Sequence, residues 1–468
     1  MDRYERFYES LRKAAERFKS IDNSETIRII SHLDADGITA GAIIINLMNE
    51  ENRKYSISIL QQLDREKVSE LAKEDFKHYI FTDLGSGQIN DIKDIMKEKK
   101  IIILDHHEIE DISAENITHI NPHLFDIDGS HEVSGAGVVY LFARTVDERY
   151  KNIAHLAIIG ALGDVQEEQG FKKLNHDILQ DAVEKGNLSL SKGLRVFGSQ
   201  TKPIHKVLEY STDPYIPGVS GSESGAIQFL HQIGINPKDK KGWRKLIHLN
   251  EEEMKKLVAG VIMKRFGETS PEDVLGNIYT LPNEKEGSTM RDAREFATLL
   301  NACGRLDRAS LGIGACLGIK EEKRKALKTL DEYKKEIVKA INWYHDNKKI
   351  SDIKKGKNYM IINARDNVLS TIIGTLASIV SKSNDIDENT YIMSLARTDK
   401  ETTKVSLRIS SRKNQEDGGM RGVMKEITDK VGGEAGGHMH AAGALVPVEK
   451  EEEFIAAAED ILKQKTAS

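Results

Sequence analysis

The amino-acid sequence predicts an α/β protein in which an N-terminal domain with a parallel sheet is followed by a helical insertion and a smaller C-terminal α/β domain. Short apolar, β-rich runs alternate with helical segments near the N-terminus, residues 200–290 change to lysine-rich helical patterns, and strand patterns return after residue 358. Apolar runs that alternate with helices are typical of parallel strands covered on both faces. The length of 468 residues fits two or three domains.

Composition excludes several classes of protein. The chain has 30% charged residues, 39% apolar residues and a net charge of −6, so it lacks a global basic field, although a local basic groove is compatible with these values. Cys303 and Cys316 form no CxxC pair, which argues against a disulfide framework or a thiolate zinc site and fits a reducing cytoplasm. The longest apolar stretches fall well short of about 18 residues, so we expect no membrane span.

The first predicted domain covers residues 1–199. Its strands are expected at 26–31, 56–60, 78–83, 100–105 and 117–120, with helices at 37–50 and 64–75. Residues 134–193 show a helical pattern that opens with SGAGVVYLF, where a serine precedes the first helical turn as helix caps do.

The rest of the chain is predicted to contain a helical insertion domain (200–290), connecting helices and a linker (291–357), and a C-terminal domain (358–468). The C-terminal strands are expected at 359–364, 389–398 and 403–411, and its helices at 368–381, 420–431 and 449–464. Between the last two helices, GGEAGGHMHAAGA (432–444) is expected to be a glycine-dense loop.

Acids and histidines stand where the predicted strands and one apolar helix end. They occur in SHLDADG, FTDLGSG, LDHHE and GALGDVQ, and they are His32, Asp34 and Asp36; Asp83; Asp105, His106 and His107; and Asp164. Because side chains on a strand alternate faces, the consecutive DHH residues converge only where the strand stops and the chain turns. The carboxyl ends of parallel strands share one edge of the sheet, where ligands bind in such folds.

Five carboxylates directed at one place repel one another unless a cation lies between them. Carboxylates with some imidazole and no thiolate suit Mg²⁺ or Mn²⁺. This number of ligands exceeds the need of one such ion, so the pattern favours two ions about 4 Å apart, the arrangement that hydrolyses phosphoesters. The alternative is that these acids are helix caps and surface residues, which their placement at four suitable ends disfavours.

The motifs HxDxDG, an isolated Asp, DHH and GxxGD resemble those of the DHH phosphoesterase superfamily. LNACGRLDRASLG (300–312) and the C-terminal GGHMHAAGA resemble the RecJ-like nucleases, and the length resembles that of their archaeal branch. The resemblance implies that two Mn²⁺ or Mg²⁺ ions bind to Asp34, Asp36, Asp83, His106 and Asp164, with Asp83 as the bridge.

The same resemblance assigns the catalytic group to Asp105, His106 and His107. Asp105 would orient its neighbours, and His107 would face the scissile phosphate. Many relatives have a histidine four residues before the first aspartate of HxDxDG, whereas His32 lies two residues before Asp34. His32 is therefore either a metal ligand or a residue that supports the ligands.

A substrate-binding region is also implied by the resemblance. Its candidates are Asn301 and Arg305 in NACGR, Arg412 in ISSR, and Gly436, Gly437 and His438 in the glycine-dense loop. Glycines let backbone N–H groups approach a phosphate closely. The alternatives are an ordinary turn for the glycines and a polar helix face for NACGR. Cys303 in that stretch is expected to be a packing residue.

The function expected from this reading is a metal-dependent, single-strand-specific exonuclease that releases 5′-mononucleotides. The resemblance favours 5′→3′ action on DNA and leaves 3′→5′ action on RNA open. It further implies a role in DNA replication and repair with the GINS complex and the replicative helicase, which residues 200–290 would bind. The alternatives are a small-substrate phosphodiesterase, acting on oligoribonucleotides or cyclic dinucleotides, and a mainly structural replisome subunit.

Overall fold

The structure is a computed structural model that describes residues 2–109, 114–167, 170–211, 214–268, 270–348, 352–383, 386–398, 401–410, 419–437 and 441–465. Contacts between residues divide the chain into two compact units, Met1–Leu330 and Asp331–Ser468.

The first unit is built on a parallel sheet, as predicted. Its strands are β1 (Thr26–His32), β2 (Lys54–Leu60), β3 (His78–Thr82), β4 (Lys100–Leu104) and β5 (Ile117–Ile120). They lie in the order β2-β1-β3-β4-β5, and each neighbouring pair is parallel. β3 is buried along its whole length, which explains its unbroken apolar sequence. The carboxyl ends of β1, β3 and β4 are therefore adjacent.

Helices surround this sheet and present the remaining site residues. They are α1 (Arg3–Lys19), α2 (Ala35–Glu50), α3 (Arg65–Lys73), α4 (Ile89–Ile95), α5 (Gly135–Val146), α6 (Ala154–Gly163) and α7 (Lys173–Glu184). The apolar α2 packs against β1, α5 and α6 and is buried on nearly every side. This packing brings the start of α2, the start of α5 and the end of α6 to the carboxyl edge of the sheet.

The next region confirms the predicted helical insertion and adds strands to it. Its elements are β6 (Ser189–Leu194), α8 (Ile204–Glu209), α9 (Glu223–Gln232), β7 (Lys238–Asp239), β8 (Gly242–Trp243), α10 (Glu251–Lys264) and β9 (Leu275–Thr280). The expectation of a helical pattern up to residue 193 is wrong at its end, because β6 pairs antiparallel with β9. The two strands are about 80 residues apart, so no local pattern announces the pairing.

The long helices expected at 291–345 are α11 (Ala293–Arg305), α12 (Ala309–Cys316) and α13 (Lys320–Asp346). α11 packs against α2 and α6, next to the end of α6 that carries Asp164. The boundary between the two units falls within α13. In the part of the chain that the structure describes, no helix is both long enough and apolar enough to cross a membrane.

The second unit is the predicted smaller α/β domain. It contains β10 (Ile353–Lys355), β11 (Tyr359–Asn363), α14 (Ser370–Ser381), β12 (Thr390–Arg397), β13 (Thr402–Ser410), α15 (Gly419–Val431), β14 (Glu434–Gly437), β15 (Ala442–Pro447) and α16 (Glu451–Gln464). The strands form a mixed sheet in the order β10-β11-β12-β13-β15-β14. The expected loop at 432–444 thus includes the short strand β14, which pairs with β15. Glycines carry no side chain that would signal a strand, so this pairing could not be anticipated.

Candidate active site

The side chains expected as metal ligands lie together at the carboxyl edge of the first sheet. Their ligand atoms form overlapping groups, each within 4.8 Å: His32, Asp34 and Asp83; Asp83, His106 and His107; Asp36, His106 and Asp164. Asp83 and His106 each belong to two groups. Such groups of carboxylates and imidazoles could hold a metal ion.

Helix termini hold two of the carboxylates in place. Asp34 caps α2, and its Oδ1 accepts a hydrogen bond from the Gly37 N–H at 3.0 Å. Asp36 accepts hydrogen bonds at the start of α5, from the Gly135 N–H to Oδ2 at 2.6 Å and from the Ala136 N–H to Oδ1 at 3.1 Å. The positive end of a helix dipole stabilises a carboxylate in such a position.

Asp83 follows β3 in a left-handed conformation, with φ of 58°. Both of its carboxylate oxygens are buried and make no hydrogen bond. A Cβ on Gly135 would lie 2.3 Å from Asp83 Oδ1, so the glycine makes room for this carboxylate. A buried carboxylate whose oxygens accept no hydrogen bond is costly, and a bound cation would remove that cost.

His106 is oriented for ligation through one nitrogen. Its Nδ1 lies 2.7 Å from the Gly129 carbonyl oxygen, which can only accept, so Nδ1–H donates to it and Nε2 is the nitrogen that faces the clustered carboxylates. Nε2 is buried without a hydrogen bond and lies 3.3 Å from both Asp83 Oδ1 and Asp164 Oδ2. The Gln166 amide also donates to the Gly129 oxygen, at 2.9 Å. Such supporting contacts fix the ring of a metal-bound histidine.

Asp105 lies behind the cluster and orients its neighbours. Its Oδ1 accepts a hydrogen bond from the His106 N–H at 2.8 Å and lies 2.8 Å from His107 Nδ1, while Oδ2 accepts from the Ser86 N–H at 2.9 Å. Burial raises the pKa of Asp105, but the His107 ring and these hydrogen bonds outweigh burial and hold the pKa far below its usual value. These contacts favour the ionised form of Asp105 and fix the positions of both histidines.

The electrostatics of the cluster also favour a cation. Burial and the charges of Asp83 and Asp164 hold the pKa of Asp36 well above its usual value. His32 Nδ1 lies 2.9 Å from Asp34 Oδ2 but makes no aligned hydrogen bond. Carboxylates with imidazoles and no thiolate fit Mn²⁺ or Mg²⁺, so the residues present suit these ions.

The candidate substrate residues are distributed over both units. Asn301 Oδ1 accepts a hydrogen bond from the Ala35 N–H at 3.0 Å, between two expected ligands, and Arg305 follows one turn later on α11. Gly436 and Gly437 are in β14 of the second unit. Arg412 and His438 lie outside the described residues.

Several supporting residues escaped the sequence analysis. Gln166 and the Gly129 carbonyl hold His106, and Asn121 donates to the His107 carbonyl oxygen at 2.9 Å. The only available signal for Gln166 was its place two residues after Asp164. Cys303 is buried, and burial raises its pKa to about 12, which agrees with a packing role.

Three family models match the chain. They are the N-terminal domain of the DHH family (residues 26–162), the DHH-CID domain (196–278) and the DHHA1 domain (356–464). An uncharacterised protein of Methanocaldococcus jannaschii is 31% identical over 457 residues, covering 96% of this chain and 95% of that protein. A putative prophage-derived single-strand DNA-specific exonuclease of Bacillus subtilis is 28% identical over 189 residues, covering 36% of this chain and 33% of that protein.

Solved structures share the fold at low sequence identity. RecJ from Thermus thermophilus, in complex with Mn²⁺, has a TM-score of 0.60 at 15% identity, covering 98% of this chain and 55% of RecJ. CDC45 from Entamoeba histolytica has a TM-score of 0.62 at 12% identity, covering 98% of this chain and 99% of CDC45.

Proposed function

The chain belongs to the DHH family, in its RecJ-like branch, and from this premise we propose that it is a metal-dependent nuclease that cuts single-stranded nucleic acid into 5′-mononucleotides. The observation that carries the proposal is the set of three overlapping ligand groups that share Asp83 and His106, in which both Asp83 oxygens and His106 Nε2 are buried without a hydrogen bond. The similarity to a putative single-strand DNA-specific exonuclease supports the substrate class.

When bound, the ions would supply an activated water and would neutralise the charge that develops on the phosphate. The residues proposed to hold two Mn²⁺ or Mg²⁺ ions are Asp34, Asp36, Asp83, His106 and Asp164, with His32 added because its Nδ1 lies within the first ligand group. Asp105 holds His107 through Nδ1, and His107 is proposed to face the scissile phosphate. Asn301 supports the start of α2, where two of these ligands stand.

Two other functions are compatible with the fold. A mainly structural replisome role is suggested by the fold of CDC45, but a scaffold has no need for a buried carboxylate such as that of Asp83, whose oxygens accept no hydrogen bond. A small-substrate phosphodiesterase would use the same metal cluster, and the preferred length of substrate distinguishes it from a nuclease.

The test is hydrolysis of DNA and RNA strands, from dinucleotides to about thirty nucleotides, labelled at either end, with Mn²⁺ and then with a chelator. We expect long single strands to be degraded to 5′-mononucleotides only with the metal, with the label position giving the polarity, for which 5′→3′ on DNA is favoured. Asp83→Asn should abolish turnover. Glu25→Gln is the matched control, because that carboxylate pairs with His78 at the opposite edge of the sheet. Preference for dinucleotides would contradict the nuclease assignment, and full activity of Asp83→Asn would contradict the metal assignment.

We also propose that the DHH-CID region binds GINS, which would place the protein in DNA replication and repair in the cytoplasm. Met263 and Phe266, near the end of α10, are 70% and 79% exposed, and exposed apolar groups of this size often mark protein interfaces. Co-purification with GINS should be weakened by Phe266→Ala. Phe197→Ala, which removes another exposed aromatic ring in the same region, should leave it unchanged. Equal co-purification of GINS with both variants would exclude the surface around Met263 and Phe266 as the binding site.

A further inference from the structure

A cavity of about 290 Å³ is lined by Gly163 and Val165, the residues on either side of the expected ligand Asp164. Its walls are the end of α6, the turn at Phe197 and one face of α11, and they include Leu162, Val165, Phe197, Ala297, Thr298 and Asn301. Val165 follows the expected ligand Asp164, and Asn301 contacts the backbone between two other expected ligands. A cavity of equal volume lies at the amino ends of the strands, around Lys77 and Lys100, away from this cluster.

Val165 has a left-handed backbone conformation that glycine usually adopts. It ends α6 with φ of 58°, and the Gln166 N–H donates to the Ala161 carbonyl oxygen at 3.0 Å, as in a glycine-terminated helix. A β-branched residue is strained in this conformation. The Val165 side chain is nevertheless 76% exposed, so packing within the protein does not explain it. Strained residues of this kind concentrate at functional sites.

Phe197 is 46% exposed on a turn that is firmly held. The Gln200 N–H donates to Glu295 Oε1 on α11 at 3.1 Å, and the Lys202 N–H donates to the Gly198 carbonyl oxygen at 2.8 Å. Gly198 has φ of 91°, and a Cβ there would lie 2.7 Å from Lys202 Cδ. Glycine at this position leaves room for the aliphatic part of the Lys202 side chain. The turn that exposes the Phe197 ring is therefore held by specific contacts.

Beyond the cavity wall, the Lys202 ammonium group lies near two exposed aromatic rings, those of Phe197 and Tyr210. Lys202 Nζ lies 5.3 Å from the centre of the Phe197 ring and 5.0 Å from that of Tyr210, which is 55% exposed. Exposed rings alternating with cationic groups are the surface on which single strands stack their bases and neutralise their phosphates. Here the series starts next to the expected metal ligands.

We propose that Val165, Phe197, Lys202 and Tyr210 form a single-strand track into the metal cluster, in which the nucleobase next to the scissile phosphate enters the cavity between Val165 and Phe197. The next base outwards stacks at Tyr210, and Lys202 contacts the phosphate between them. The track rests on the proposed nuclease function and identifies its substrate-binding surface. It also gives the DHH-CID region a role in substrate binding, separate from the surface at the end of α10 around Met263 and Phe266.

The first test measures binding of a fluorescently labelled single strand in chelator, where no hydrolysis occurs. Phe197→Ala and Tyr210→Ala should each weaken binding roughly five- to 150-fold, the range for loss of one stacked base. Phe266→Ala is the matched control and should bind as the wild type does. If neither Phe197→Ala nor Tyr210→Ala weakens binding, or if Phe266→Ala weakens it equally, the track is wrong.

Val165→Gly separates a substrate contact from a structural role. Glycine relieves the backbone strain, so this variant should melt at a higher temperature than the wild type and still bind the labelled strand more weakly. A higher melting temperature with unchanged binding would overturn the assignment of Val165. Lys202→Met should reduce the slope of log affinity against log salt by about one, as the loss of one phosphate contact requires. An unchanged slope would remove Lys202 from the track.

The outcomes also distinguish this inference from the nuclease proposal. If Phe197→Ala and Tyr210→Ala do not change the rate of strand hydrolysis with Mn²⁺, the nuclease proposal is retained and the track is wrong. Strand binding that both variants weaken, without hydrolysis under any metal condition, supports the track and overturns the nuclease.

Discussion

At the scale of single residues, the chemistry of the site depends on which polar atoms the fold leaves without partners. Asp83 has both carboxylate oxygens buried and unsatisfied, whereas the oxygens of Asp105 accept hydrogen bonds from backbone and His107. The two aspartates are equally buried but differ in role. Asp83 is therefore the aspartate proposed to bind a cation, whereas Asp105 holds a histidine.

Asp105→Asn should therefore lower kcat by about ten- to a hundredfold while KM for long strands stays unchanged. The amide cannot keep the charge that orients His107, but it leaves the metal ligands and the substrate track in place. Steady-state kinetics on single strands would measure the two constants. A raised KM with unchanged kcat would instead assign Asp105 to substrate binding.

At the scale of elements, glycines and helix termini determine how closely α2, α5 and α6 approach the sheet edge. The first N–H groups of α5 bind the Asp36 carboxylate, and Gly135 in that turn leaves the volume that the Asp83 carboxylate occupies. The helix contributes no ligand but shapes the site. Its serine cap, Ser134, was visible in the sequence, whereas its proximity to Asp83 was not.

Gly135→Ala should sharply weaken Mn²⁺ binding and activity while the protein remains folded. The new Cβ would lie 2.3 Å from Asp83 Oδ1, so the carboxylate must move. Gly422→Ala in α15 is the matched control, since open space surrounds that glycine, and it should retain Mn²⁺ binding. Calorimetric titration of Mn²⁺ measures both variants. Equal affinities would show that Asp83 can move without losing the ion.

The helix α6 adds a pH dependence of stability. Burial lowers the pKa of His155 to about 4, and its Nδ1 is buried without a hydrogen bond. Since the unfolded histidine has a pKa near 6.5, the unfolded chain takes up the proton first, and the folded protein loses at most about 3 kcal/mol as the pH falls from about 6.5 towards 4. Melting temperatures across this range should fall less steeply for His155→Leu than for the wild type. Parallel curves would contradict the assignment.

At the scale of the whole molecule, the repulsion among the clustered carboxylates connects cation binding to the stability of the folded protein. The carboxylates of Asp36, Asp83 and Asp164 are close enough to raise the pKa of Asp36, and this destabilises the folded protein without an ion. An ion that binds only the folded chain stabilises it by mass action.

Mn²⁺ should therefore raise the free energy of unfolding of the wild type, by about 2.7 kcal/mol at a hundredfold excess over Kd. Asp83→Asn removes one of the repelling charges, so in chelator it should melt at a higher temperature than the wild type and respond less to Mn²⁺. Thermal melts with and without the metal provide the comparison. A variant that is less stable in chelator and still stabilised by Mn²⁺ would show that Asp83 has a different role.

The sequence by itself determined the α/β class, the parallel sheet and the positions at which acids and histidines follow the strands. These features are local: an apolar run such as 100–104 and the DHH residues after it are adjacent in the chain, and strand ends must meet at one edge of a parallel sheet. The fold class and the family resemblance could be predicted for this reason.

Only the tertiary structure decided which nitrogen of His106 is available, because the Gly129 carbonyl that holds the other lies 23 residues away. It also decided that Glu434–Gly437 is a strand, and that Val165 adopts a left-handed conformation beside a cavity whose other wall is α11. The His106 contact and the cavity wall depend on segments that are distant in the chain, whereas β14 pairs with the nearby β15 but has no side-chain pattern that would signal a strand. Local propensity carries no information about such contacts, since the partner that satisfies a backbone group or fills a space becomes known only when the chain is folded.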